Sequence, residues 1–393
     1  MSNSPLIRND RVLKPLTSIV VLCIGLVAAC AAWGTYNQFY IGLTYVTLPV
    51  IMAFFIGIFC FLIGYRIYSV SVADVSVLII YTISYFSQMW SLRVDGWSNQ
   101  FYWYTICFML YFLSRFFVNN IKNIKYIISA VAFGAVIGGS FVTQQVDDWG
   151  EILERQAVVG HNANFTAYVL VGSVFLINVG SFMRIFNKNA FFWIVPVNLF
   201  VLSKLILLGT RGAIISFFSI FLWFFLYRII PKKIIKYFII LYFIVIATFP
   251  FGVFDFALES FEGLFNRNTG DLSGRLPAWI IAKEQISNHL FLGIGIGSFA
   301  LVNPQGIGAH NVFLTMILEV GLIGFFLMFL MLWSIFLPAL KKNATADQIF
   351  IFGAFFMFWL PIAATGHWEL SPFSWLLLAL TFNLMRLKRA SYA

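Results

Sequence analysis

The chain has 393 residues and a formal net charge of +10, yet only 10% of its residues are charged while 61% are hydrophobic. A soluble globule carries about 25% charged and about 45–50% apolar residues. This composition, with a mean hydropathy of +0.91, excludes a water-soluble fold and predicts an all-α integral membrane protein.

A helix needs about 20 apolar residues to cross the hydrocarbon of a bilayer. In chain order, twelve such spans are expected: 15–34, 45–64, 73–91, 100–118, 125–143, 164–183, 190–209, 213–230, 237–254, 312–337, 349–365 and 371–387. The first is read as a spanning helix and not a cleavable signal, because runs of equal strength follow it. Pro361 is expected to bend the eleventh. The four cysteines, Cys23, Cys30, Cys60 and Cys107, all fall within apolar runs. Neither a disulfide framework nor a metal-type Cys spacing is expected from them.

Most connections are short. Two are not. Residues 144–163 are polar and acidic and hold the adjacent pair Asp147–Asp148, a solvated loop in preference to a metal site. Residues 255–311 carry a helical signal of their own, with Pro277 shortly after Arg275 and then Trp279, Ile280 and Lys283. Proline in a first turn suits a helix start, and a short amphipathic helix along the membrane surface is expected there. The organisation expected is helices 1–9 in 1–254, a large loop in 255–311, and helices 10–12 with a tail in 312–393, all one integrated membrane domain.

The distribution of charge orients these spans. With the N-terminus in the cytoplasm, eighteen of the 25 basic residues fall on cytoplasmic segments, as the positive-inside rule requires. Both termini are then cytoplasmic, the large loop lies outside, and acidic residues concentrate on the outer face. Topology accounts for the high positive charge, so membrane lipids are the expected partner and nucleic acid is not.

All four histidines, His161, His289, His310 and His367, fall on or near the outer face in this reading. His310–Asn311 stands where the large loop enters the tenth span. An imidazole with a pKa of about 6.5 suits a general base for a hydroxyl at neutral pH, although a capping role for a lone histidine is as good a reading. Gly321, eleven residues on, shares a helical face with His310, and with Gly324 it permits close approach of a helix or lipid. Arg211 follows the seventh span in Leu-Gly-Thr-Arg-Gly, with Lys204 seven residues earlier. A cation inside a span marks a functional site by default, and arginine can hold phosphate oxygens in bidentate fashion. Lys204 has the alternatives of snorkelling or of pairing with Glu319. Arg275, just before a helix start, could join its guanidinium to free backbone N–H groups on one anion. His161, Asn162 and Asn164 open the sixth span and suit either sugar hydroxyls or helix capping. The run Gly293-Ile-Gly-Ile-Gly297 lacks the strand–turn–helix context of a nucleotide loop and is discounted.

Taken together, these residues resemble the bacterial O-antigen ligases and their relatives, the O-antigen polymerases. The ligase pattern is a histidine followed by Asn, Ser or Gln, then nine residues and Gly-x-x-Gly. His310-Asn311, the nine residues 312–320, and Gly321-Leu-Ile-Gly324 match it. Thr210-Arg211-Gly212 and Gly274-Arg275-Leu276 are similar to the two arginine contexts of that family, and twelve spans with one large outer loop resemble its architecture. The resemblance implies a glycosyltransferase of the bacterial inner membrane acting at the periplasmic face, inverting and independent of metal or other cofactor. Its donor would be a glycan on undecaprenyl pyrophosphate and its acceptor a sugar hydroxyl of lipid A–core oligosaccharide. It further implies His310 as the base, Arg211 and Arg275 (with Lys204) on the donor pyrophosphate, and Asn311, Gly321, Gly324, His161, Asn162 and Asn164 in support. A polymerase sharing that donor, or a flippase for the same lipid, are the other readings.

Overall fold

A computed structural model describes residues 10–32, 47–66, 69–91, 94–142, 163–248, 275–304, 306, 308–364, 366 and 371–387. Fourteen α-helices account for most of these residues, and there is no strand among them. They are α1 (Asp10–Cys30), α2 (Thr47–Leu62), α3 (Val72–Phe86), α4 (Val94–Phe117), α5 (Ile121–Ser140), α6 (Ala163–Phe182) and α7 (Phe191–Leu208). There follow α8 (Arg211–Ile229), α9 (Lys232–Thr248), α10 (Arg275–Asn288), α11 (Phe299–Val302), α12 (Val312–Leu340), α13 (Ala346–Ala363) and α14 (Pro372–Arg386).

Each of the twelve expected spans falls on one of these helices, and among the described residues eight helices are long and apolar enough to cross a membrane. The chain is an all-α membrane protein. Of the four others, α2 is apolar but has only 16 residues, and α14 has 15. Pro361 stands inside α13, two residues from its end at Ala363. The expected tenth span differs in kind: α12 is 29 residues long and contains a break at Gly321.

Packing divides the chain into two compact units, one of residues 1–70, 106–210 and 375–393, the other of residues 71–105 and 211–374. In the first, α1 packs on α2 and α5, and α5 on α6 and α7. Gly134 and Gly138 lie one turn apart on α5. A Cβ at either would run into the backbone of Ala29 or Ala32, the close approach that small residues at four-residue spacing allow in lipid. Between α6 and α7, Asn178 and Asn198 exchange carboxamide hydrogen bonds of 3.2 and 3.3 Å in a buried setting. At the end of α4, Asn383 donates to the carbonyls of Ser114 and Val118 and accepts from Arg115 at 3.3 Å. The Arg115 guanidinium also lies 3.9 Å from the Phe382 ring centroid. Carbonyls at the helix end and a buried cation thus find partners inside one cluster.

In the second unit α3 packs on α12, α8 and α9 on α13, α12 on α13, and α10 on α12. Ser71 and Asp74 form a reciprocal capping box at the start of α3. Trp223 of α8 is fully buried and donates its indole N–H to the Phe350 carbonyl at 3.0 Å. A layer of aromatic rings from α12 and α13, including Phe336, Phe355, Phe356 and Trp359, fills the space between them.

Candidate functional site

Two hydrogen bonds fix which helix ends of the second unit lie together. The Tyr227 hydroxyl donates to the Ala346 carbonyl at 2.8 Å, joining the end of α8 to the start of α13. The Lys236 ammonium donates to the Lys341 carbonyl at 2.8 Å, joining the start of α9 to the end of α12. Since α8 begins at Arg211 and α12 at Val312, Arg211 and His310 lie at the opposite end. The Asn311 carboxamide donates to Ala364 at 3.3 Å there, so the end of α13 joins them.

Arg275 is brought to this same end by α10, which it opens. One helical turn later Trp279, 95% buried, donates its indole N–H to the Ala309 carbonyl at 2.8 Å. Ala278, Trp279 and Ala282 of α10 pack with Ile294, Phe299, Ala309, Leu314 and Leu318 in one small core. Ala278, Trp279 and Ala282 of α10 therefore face protein, while Ile280 is exposed. The result is a cap of α10, α11 and the first turns of α12, with His310 at its rim.

His310 itself has φ +50°, in the left-handed region that a residue with a Cβ enters only at a cost. Both neighbours hold it there. Ala309 is tied by the Trp279 indole, and Asn311 is fully buried as the cap of α12. The Asn311 side-chain oxygen accepts from the Phe313 and Leu314 N–H groups at 3.0 and 3.1 Å. Capping thus falls to Asn311, while His310 is half-buried. Strained non-glycine backbone of this kind clusters at functional sites.

Gly321 interrupts α12 after its first nine residues, at φ +76° and ψ −175°, a conformation open only to glycine. A Cβ there would run into the backbone of Phe291. The freed backbone groups are taken up by the strap that follows α10. Ile294 N–H donates to Leu318 and Gly295 N–H to Glu319, and Leu322 N–H donates to Leu290 at 2.8 Å. Gly293, Gly295 and Gly297 all have positive φ, so the glycine run discounted as a nucleotide loop serves as this strap. Gly324 is buried within the helix beyond the break.

Arg211 is exposed at the first position of α8, after a left-handed Gly209 that closes α7. In the first unit, the buried Thr210 hydroxyl donates to the Asn164 carboxamide oxygen at 3.3 Å, and Lys204 is half-buried with its ammonium 5.6 Å from the Phe200 ring centroid. His161, Asn162, His367 and the acidic pair Asp147–Asp148 lie outside the described residues. Sequence reasoning missed Trp279 and the strap. The signals were an aromatic one turn after Arg275 and glycines at alternate positions just before α11.

Residues 196–329 match the family model described as O-antigen ligase. The match supports the O-antigen ligase family, and it takes in Lys204, Arg211, Arg275, His310, Asn311, Gly321 and Gly324. Among curated proteins none matches the chain.

Proposed function

We propose that this protein is an O-antigen ligase of the bacterial inner membrane. It transfers a glycan from undecaprenyl pyrophosphate to a sugar hydroxyl of lipid A–core oligosaccharide at the periplasmic face. The observation that carries this reading is the strained, half-buried His310, held at the helix end where Arg211 and Arg275 also lie, inside the matched segment.

The chemistry then runs in one displacement. The acceptor hydroxyl gives its proton to the His310 imidazole as its oxygen bonds to the anomeric carbon of the donor. The bond from that carbon to pyrophosphate breaks on the opposite face, so configuration inverts. Undecaprenyl pyrophosphate leaves with the bonding electrons, and the Arg211 and Arg275 guanidiniums meet its growing charge. Groups aimed at charge that develops in the transition state supply the largest single contribution to many such reactions. Planar guanidinium forks suit pyrophosphate oxygens better than a lysine point charge does.

The test is purified full-length protein in lipid, given lipid-linked glycan and lipid A–core without added metal. Glycan appearing on lipid A–core supports the ligase. Longer glycan on the lipid carrier instead identifies a polymerase, and carriage of intact lipid-linked glycan across vesicles without transfer identifies a flippase.

A further inference from the structure

The break at Gly321 also sets a depth. From Leu322 to Leu340, α12 runs 19 residues, about 28 Å at 1.5 Å per residue, which nearly matches the ~30 Å hydrocarbon core. Lys341 and Lys342 follow at once and mark one boundary of the core. Gly321 therefore lies at the other boundary, the one at the His310 end.

The strap is fastened at that level, since Leu290 accepts from Leu322 N–H and Phe291 abuts Gly321. Along it the exposed surface changes character abruptly. Ser287, Asn288 and His289 are exposed and polar. Leu290, Phe291 and Leu292 follow with 41%, 66% and 49% of their surface exposed, although Ile294 and Phe299 just beyond are buried in the cap core. On α12 the neighbouring residues Leu322, Ile323 and Phe326 are exposed too, opening the stripe the helix turns toward lipid. The apolar run on the strap continues that stripe. Irregular backbone is tolerated at this depth only when its polar groups are paired within the protein, and the bonds from Ile294, Gly295 and Leu322 supply such pairing.

We propose that Leu290, Phe291 and Leu292 form a wedge inserted among the acyl chains of the leaflet at the His310 end, seating the cap on the membrane. Moving three exposed apolar side chains from water into acyl chains is favourable in proportion to the apolar area removed from water. The wedge follows from depth and exposure alone and stands whether or not His310 transfers glycan.

Site-directed spin labelling tests it. The full chain, with Cys23, Cys30, Cys60 and Cys107 replaced by alanine, carries F291C with a nitroxide in phosphatidylcholine vesicles. Label accessibility is measured to oxygen, which partitions into lipid, and to a water-soluble nickel chelate. Labels at S287C and F326C provide the aqueous and lipid references, and L292C gives a second reading should F291C fail to insert. The expected oxygen-to-nickel ratio at 291 and 292 is that of 326, several-fold above that of 287. A nickel accessibility equal to that at 287 would overturn the wedge. Exclusion of both reagents would overturn it as well, since it would mean a protein partner covers the strap.

Discussion

The two units place buried polarity in opposite ways. In the first, Asn178 and Asn198 satisfy one another across α6 and α7, and Asn383 and Arg115 close a cluster at the end of α4. Its helices are continuous, and polar side chains hold them in register. In the second, the polar groups that matter belong to backbone released by the break at Gly321, and a strap of alternate glycines satisfies them. Polar side chains fasten helices in the one; an interrupted helix presents a strained histidine in the other. Continuous helices suit a scaffold, whereas strain needs neighbours that over-determine it, and Trp279 and Asn311 are those neighbours.

Substitutions can break this contrast. The largest effect on integrity is expected for Gly321→Ala, which must adopt a glycine-only conformation at about 1–3 kcal/mol and also displace Phe291. Thermal unfolding and yield should both fall sharply, while the same change at the exposed, helical Ser203 should do neither. Next come Arg211→Ala and Arg275→Ala, each expected to lower transfer about 100-fold, as loss of a transition-state donor does. Lysine at either position should restore only part, and full activity of the lysine variants would argue against a bidentate grip.

Trp279→Phe sharpens the comparison further. It keeps the ring in the cap core but leaves the buried Ala309 carbonyl without its donor, at about 1–3 kcal/mol. If the indole positions His310, kcat should fall while KM for acceptor changes little. A parallel rise in KM with kcat intact would assign Trp279 to packing alone. The smallest effect is expected in the first unit. Asn178→Ala should cost about 0.6 kcal/mol, typical of interhelical hydrogen bonds in lipid, with transfer unchanged.

The spans were legible because each hydrophobic run can be read on its own, without reference to packing. The break in α12 was not, because the run from Val312 to Leu340 stays strongly apolar overall despite Glu319, and only the φ of Gly321 reveals it. Gly321 was singled out, but as a site of helix or lipid approach; what approaches is the strap backbone. Capping read as one role of His310, but the bonds from Phe313 and Leu314 give it to Asn311. The convergence of α10 on His310 depends on one indole reaching one carbonyl thirty residues away, and no local pattern encodes such a contact. Similarly, Trp279 and Ile280 read alike in sequence, yet one is buried in the cap and the other exposed.

The most direct measurement is a single-turnover experiment on His310→Ala, preloaded with lipid-linked glycan and mixed with lipid A–core. Donor binding should match that of the unmodified protein, because the arginines remain, while transfer should slow by about 100-fold or more, the usual contribution of a positioned base. Transfer at the unmodified rate by donor-loaded, folded His310→Ala protein would contradict the account.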